Sequence, residues 1–320
     1  MTGNPVFDEI ADLLTEQRNP LTVAIDRIPT TEILELINRE DQGVPAAVAR
    51  IIPEITRAVG MIVDAFMRGG RLLYVGAGTS GRLGVLDAAE CLPTFGIPQG
   101  MVKGIIAGGP EALVGPVEGA EDHVEDGVVA MRGEGVSERD VVVGITASRR
   151  TPYVVGALTE AKRLGAMTVL IACNPSSKVE IGVDVLLCPV VGPEVIAGST
   201  RMKAGTAQKL ILNMLTTASM IRIGKVYSNL MVDLQPTSQK LIERSKRIVM
   251  MCGGLSYQQA QVILEETGGD VKRALVMALS GVTAEEAEKR LVEVGGFVGE
   301  AIKLSTFPHS GSADVSTSLV

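Results

Sequence analysis

Between residues 71 and 192 the chain alternates two hydrophobic patterns. Five short runs are rich in β-branched residues and nearly continuous in apolar ones: RLLYVGAG (71–78), GMVKGIIAGG (100–109), DVVVGITAS (140–148), AMTVLIACNP (166–175) and VDVLLCPVVG (183–192). Such runs are the mark of parallel strands buried on both faces. Helical stretches lie between several of them, RLGVLDAAE and PYVVGALTEAKRLGA, with a more broken segment over 110–136. The alternation predicts an α/β fold, a doubly wound five-stranded parallel sheet with helices on both faces.

The flanks read as helical. TTEILELINRED carries Ile33, Leu34, Leu36 and Ile37 on one stripe, and AAVARIIPEITRAVGMIVDAFMRGG reads as one long helix with Pro53 near an inner turn, stopped at Gly69-Gly70. TRMKAGTAQKLILNMLTTASMIRIGK (200–225) is a further long helix, and residues 226–245 are polar and mixed. From Ser256 onward three short amphipathic helices are expected, with Thr283 and Glu286 as the capping box of the last. The tail LSTFPHSGSADVSTSLV is Ser-rich and expected to be disordered. This divides the chain into an N-terminal helical segment (1–61), a sheet domain (62–225), a linker with a small helical domain (226–300) and a tail (301–320).

Composition narrows the function. Of the 320 residues 46% are hydrophobic but only 3% aromatic, with no Trp, so the core is aliphatic. A formal charge of -7 argues against a nucleic-acid partner. Cys91, Cys173, Cys188 and Cys252 form no C-x-x-C pair and there are two histidines, so no metal site is expected and buried thiols in a reducing compartment are. No basic-then-apolar leader pattern and no membrane-length apolar run is present. The expectation is a soluble cytoplasmic protein without a membrane partner.

YVGAGTSGRLGVLDAAEC (74–91) contains G-A-G-T-S-G, which satisfies the dinucleotide fingerprint. A dinucleotide site also needs an acidic residue closing the second strand to hold the ribose. Here that strand ends in Ala107-Gly108-Gly109 and the next acid, Glu111, lies beyond the turn. No G-K-[ST] follows the glycines either. Neither a dinucleotide nor a Walker-type nucleotide is therefore expected on this turn. What the turn does carry is hydroxyls, Thr79 and Ser80. A second strand-end loop, ITASRRTPY, repeats them in Thr146, Ser148 and Thr151 beside Arg149 and Arg150. Two such loops at helix starts can grip a phosphate monoester; alternatively the hydroxyls merely cap their helices.

GAGTSGRLGVLDAAEC, GGPEALVGPVEGAED, ASRRTPYVVGAL and GSTRMKAGTAQKLILNMLTT resemble the signature blocks of the N-acetylmuramic acid 6-phosphate etherase family, of the sugar-isomerase (SIS) fold, flavodoxin-like in its sheet. The resemblance runs from about Asp26 to Gly296, and GGDVKRALVMAL resembles that family's small ubiquitin-associated-like (UBA-like) domain. It implies an amino sugar phosphate as substrate, a homodimer, no cofactor and a role in recycling cell-wall sugars. It also implies two catalytic carboxylates, Glu90 as proton donor and Glu121 as base. Glu90 follows Ser80 by ten positions, about 15 Å along a continuous helix. It therefore meets the far end of the substrate or a substrate in a partner subunit. A helix ending by Pro93 would put Glu90 where the dipole disfavours negative charge, which suits an acid. Glu121 lies in an acidic run that reads as helical and solvated.

Substrate contacts are expected from Thr79, Ser80, Ser148 and Thr151, and further from Ser199, Arg201 and Lys203. The two cations start a helix against its dipole, which points to a nearby anion, either the substrate's lactyl carboxylate or phosphate or a salt-bridge partner. Two positions depart from the family pattern: Arg149 stands where a glycine is usual, and Ala89 where a serine precedes the proton donor. Relatives of the same fold that bind sugar phosphates without turnover, or isomerise them, are the rival readings; both glutamates being present favours the lyase.

Overall fold

In a computed structural model the chain is described over residues 10–175, 181–234 and 238–304. It divides into two compact units, one ending at Ile223 and the other beginning at Gly224. The tail drawn from residue 301 lies outside the described residues after 304.

In the first unit β1 (Leu72–Gly76), β2 (Val102–Ile106), β3 (Val141–Ile145), β4 (Met167–Ile171) and β5 (Val185–Leu187) form one sheet in the order β2-β1-β3-β4-β5. Every pairing in it is parallel. β1 and β3 are buried at every residue, which is why their sequences are continuous rather than alternating. Gly76 of β1 pairs with Ile106 on one side and Ile145 on the other, so three strand ends lie level. Strand order reverses between β1 and β3, and ligands in such sheets bind outside that switch point. The two loops that open there are the hydroxyl-bearing ones.

The helices of this unit are α1 (Thr30–Asp41), α2 (Gly43–Ala49), α3 (Ile52–Met67), α4 (Gly78–Phe95), α5 (Val124–Gly133), α6 (Pro152–Arg163) and α7 (Lys203–Arg222). On one face Met131, Val154 and Leu158 from α5 and α6 join Leu73, Val142 and Leu170 in one aliphatic cluster. α7 packs against both α3 and α4. At the amino ends of the strands the Arg71 guanidinium reaches Asp140 at 2.8 Å and its backbone N–H donates to the same carboxylate at 2.9 Å, clamping β1 to β3. Burial alone would push the Asp140 carboxyl up, but these bonds hold it below the usual carboxylate range.

Three local expectations change. The single helix through Pro53 is two, α2 and α3, separated at Arg50–Ile51. Proline lacks the N–H for an interior turn and clashes with the carbonyl four residues back, so the helix restarts with Pro53 in its first turn. α4 does not stop at Pro93: it runs to Phe95 and ends at Gly96, whose φ is 56°. Pro93 offers no N–H to the carbonyl four residues back, which belongs to exposed Ala89. Glu121 is not helical; it sits in the turn just before α5.

The second unit holds a short hairpin, β6 (Val226–Tyr227) with β7 (Leu230–Met231), and helices α8 (Gln239–Gly253), α9 (Tyr257–Glu266), α10 (Val271–Ser280), α11 (Ala284–Glu293) and α12 (Val298–Lys303). α9 to α11 are the three expected; α8, α12 and the hairpin add to them. Ile248, Leu264, Leu275, Leu291 and Ala301 share its core. Thr283 accepts from Glu286 N at 3.3 Å, but the Glu286 carboxylate turns to Arg290 at 2.9 Å instead of completing the box. The full reciprocal box is Ser256 with Gln259.

Candidate active site

The glycines of G-A-G-T-S-G serve the backbone. Gly78 has φ 52°, in the left-handed region that glycine enters without strain. A Cβ on Gly81 would lie 2.6 Å from Ile106 Cγ1 and 2.7 Å from the Gly76 carbonyl oxygen, so α4 leaves β1 at backbone contact. This close approach puts Thr79 and Ser80 in the first turn of α4, at the switch point. Neither residue is the N-cap, which is Ala77 and has no capping side chain. Thr151 does stand at the N-cap of α6, yet its hydroxyl makes no cap bond and meets Thr146 Oγ1 at 2.8 Å. Ser148 Oγ lies 3.2 Å from the same Thr146 oxygen. The hydroxyls of Thr146, Ser148 and Thr151 therefore face one another beside a cleft, and the N–H groups at both helix starts are left without side-chain caps, a ready site for an anion.

That cleft measures about 350 Å³ and is lined by Thr79, Ser80, Thr146, Ser148, Thr151 and Glu121 among others. The Tyr153 N–H donates to the Glu121 carbonyl at 3.0 Å, docking the Glu121 turn onto α6. Glu121 also lines a second cavity of about 200 Å³ that shares Ala77 and Gly78 with the first. Five of the expected site residues, Thr79, Ser80, Glu121, Ser148 and Thr151, thus meet at one place.

The other four do not. Glu90 is exposed in the last turns of α4 and does not line the cleft. Ser199 lies between two lining residues, Gly198 and Thr200, without lining it, and Arg201 is exposed. Lys203 does not line the cleft: its Nζ sits 2.6 Å from Glu40, in a pair whose side chains are only 4% and 13% exposed. The anion that its position called for belongs to the chain. Buried Glu194 adds a second, accepting the N–H groups of Lys203 and Ala204 at 2.9 Å each; burial pushes its carboxyl up against these bonds.

Some lining residues gave little or no sequence signal. Glu16 and Leu13 reach the cleft from the N-terminal segment. That segment is held by Thr15, whose N–H and hydroxyl meet the side chain of buried Asn174 at 3.4 and 3.1 Å, and whose carbonyl accepts from Gly198 N at 2.8 Å. Arg150 lines the cleft, whereas Arg149 turns its guanidinium to the Pro175 carbonyl at 2.8 Å. Two of the four cysteines, Cys91 and Cys173, are buried; burial pushes the Cys91 thiol up to about 12.

Comparison with known proteins gives the fold class and the family. A SIS-domain family model matches residues 121–218, and a model described as the glucokinase regulatory protein N-terminal SIS domain matches residues 54–162. The first unit is therefore of the SIS class. At higher resolution, the chain is 56% identical over 275 residues to the N-acetylmuramic acid 6-phosphate etherases of Mesorhizobium japonicum and Rhizobium rhizogenes, covering 86% of this chain and 90% of each relative. It is 55% identical over 274 residues to that of Salinibacter ruber, covering 85% and 88%. The chain belongs to the N-acetylmuramic acid 6-phosphate etherase family.

Proposed function

We propose that this protein is a carbon–oxygen lyase that cleaves the D-lactyl ether of N-acetylmuramic acid 6-phosphate, giving N-acetylglucosamine 6-phosphate and D-lactate. The observation that carries the reading is the cleft itself. Four hydroxyl-bearing residues at two uncapped helix starts suit a phosphate, and a carboxylate, Glu121, borders the same space. An ether oxygen is a poor leaving group. Ring opening to the aldehyde acidifies the proton on sugar carbon 2. Glu121 takes that proton, the bond from carbon 3 to the lactyl oxygen breaks, and an acid protonates the departing oxygen. Water then adds to carbon 3 of the unsaturated aldehyde. The chemistry needs one base and one acid set apart by their surroundings.

Glu90 is the proposed acid, supplied across a homodimer. It is exposed on α4, about 15 Å along the helix from Ser80, one turn after Leu86, which is 53% exposed. An exposed leucine on the same helix face suits a second copy of the chain, which would receive Glu90 in its cleft. The place of action we propose is the cytoplasm, in amino sugar recycling; no helix among the described residues is long and apolar enough to cross a membrane.

One rival has an observation behind it, the match of residues 54–162 to a regulatory-protein domain. A coupled D-lactate assay separates the two. Wild type is expected to release lactate, and Glu90→Gln and Glu121→Gln each to lose about 10²–10⁴-fold in kcat. Sugar-phosphate binding with no lactate released by wild type would leave the regulator.

A further inference from the structure

We infer that the side cavity beside Glu121 receives the lactyl carboxylate of the substrate, with Arg82 as its counter-ion. This rests on the reading of the main cleft as the phosphate site of an etherase. Arg82 projects from α4 two residues after Ser80 and lines the cavity of about 200 Å³. Its Nε donates to the Leu113 carbonyl at 3.3 Å and its Nη2 to the Gly115 carbonyl at 3.0 Å. Neutral carbonyls fix the plane of the guanidinium without cancelling its charge, and they leave Nη1 for a ligand. Among the described residues no carboxylate forms an ion pair with it. A planar, charged, pre-oriented fork is the arrangement that recognises a carboxylate.

The other cations near the site are otherwise placed. Lys203 is paired with Glu40, exposed Arg201 lines neither cavity, and Arg150 faces the hydroxyl-lined cleft. The two cavities meet at Gly78 and Glu121. A substrate with its phosphate among the hydroxyls and its carboxylate on Arg82 therefore has its reacting carbons at the Glu121 turn, between the two anchors. Val117 and Pro116 line the same cavity and suit the lactyl methyl group. Glu118 and Glu121 also face it, so a small free anion is poorly held; the carboxylate is held as part of a molecule gripped at its other end.

The test is calorimetric titration in a Glu121→Gln background, which prevents turnover, with two ligands that differ only in the lactyl ether. Arg82→Met is expected to weaken N-acetylmuramic acid 6-phosphate by about 10–100-fold and to leave N-acetylglucosamine 6-phosphate within about twofold, with Arg82→Lys between the two. Equal losses for both ligands would show that Arg82 only pins the 113–115 loop and would overturn the inference, as would no loss for either. If the background protein binds neither ligand, the phosphate-site reading fails instead. Should the Arg82 variants not fold, the lactyl methyl ester replaces them as probe: on otherwise unaltered Arg82 protein it must bind as weakly as the acid would to Arg82→Met, and binding equal to the acid overturns the assignment.

Discussion

Ser80 Oγ lies 3.0 Å from Gln208 Oε1, while Gln208 Nε2 is buried with no hydrogen-bond partner among the described residues. Gln208 is 1% exposed on α7. With its oxygen toward Ser80, the serine proton points at the amide and not at the cleft. Turning the amide about its last torsion places Nε2 against Ser80 Oγ and releases the serine proton toward a phosphate, at the lesser cost of an unpaired carbonyl oxygen. Gln208 in that orientation makes Ser80 a donor. Gln208→Glu, which can only accept when ionised, is expected to raise KM at least about tenfold with a smaller change in kcat. Steady-state kinetics with inorganic phosphate as competitor checks this, and an unchanged KM and phosphate affinity would refute it.

Arg149 holds φ at 61° in the loop after β3, in the left-handed region that costs an L residue about 1–2 kcal/mol. Arg149→Gly relieves the strain but loses the bond to Pro175 and frees the unfolded chain, so the terms nearly cancel. The expected change is within about 1 kcal/mol. Arg149→Val keeps the strain, adds a β-branched clash and loses the bond; it should cost about 2 kcal/mol or more. Urea unfolding of the two variants measures the contrast, and equal stabilities would show that the backbone is not strained in solution.

Where hydrophobic pattern decides the structure, the sequence was readable. β1 and β3 are apolar throughout because both faces are covered, while β2, at the sheet edge, admits exposed Lys103. Pro53 was misjudged because the apolar stripe passes through it unchanged; the break comes from a missing donor. α8 was hidden by its polar residues: only Ser245, Ile248 and Val249 of its fifteen are buried, too few to dominate a polar segment. In the site, hydroxyls clustered at strand ends could be found because strand and turn are local. Glu16 could not, because it depends on Thr15 meeting Asn174 across 159 positions, and no local spacing encodes that. Lys203 was legible as a cation needing an anion, but not as one whose anion is Glu40.

The Thr15–Asn174 link also sets the edge of the cleft. Asn174 Nδ2 donates both to Thr15 Oγ1 at 3.1 Å and to the Ala147 carbonyl at 2.8 Å, joining the N-terminal segment to the Ser148 loop. Asn174→Ala leaves these buried groups unpaired, at a cost of about 1–3 kcal/mol. Hydrogen exchange should quicken at Thr15 and Gly198 while the amides of β1 stay protected. Unchanged protection at both positions would mean that the segment is held by other contacts.

Asp87 gives the fold a pH dependence whose sign can be derived. It lies buried on α4, accepting from Tyr74 Oη at 3.1 Å, Asn213 Nδ2 at 2.9 Å and Thr216 Oγ1 at 3.3 Å. Burial pushes its carboxyl above the usual carboxylate range, and the three donors oppose this only in part. The folded state therefore favours the protonated acid. The contribution to stability is fully present below the ordinary carboxylate pKa and is lost as pH rises through the raised folded value. Asn at this position stays neutral throughout. As pH rises above the ordinary carboxylate value of about 4, wild type is expected to lose stability relative to Asp87→Asn, whatever the two share from other titrating groups. Urea midpoints at several pH values would show a gap that moves steadily in favour of the asparagine variant; a gap independent of pH would mean that Asp87 ionises as readily folded as unfolded. Asp87 and Cys91 turn inward on α4, and this inward anchoring is what leaves Leu86 and Glu90 facing out. A further variant therefore tests how firmly Glu90 is aimed: if Asp87 holds the rotation of α4, Asp87→Ala should lower kcat for lactate release more than it changes KM.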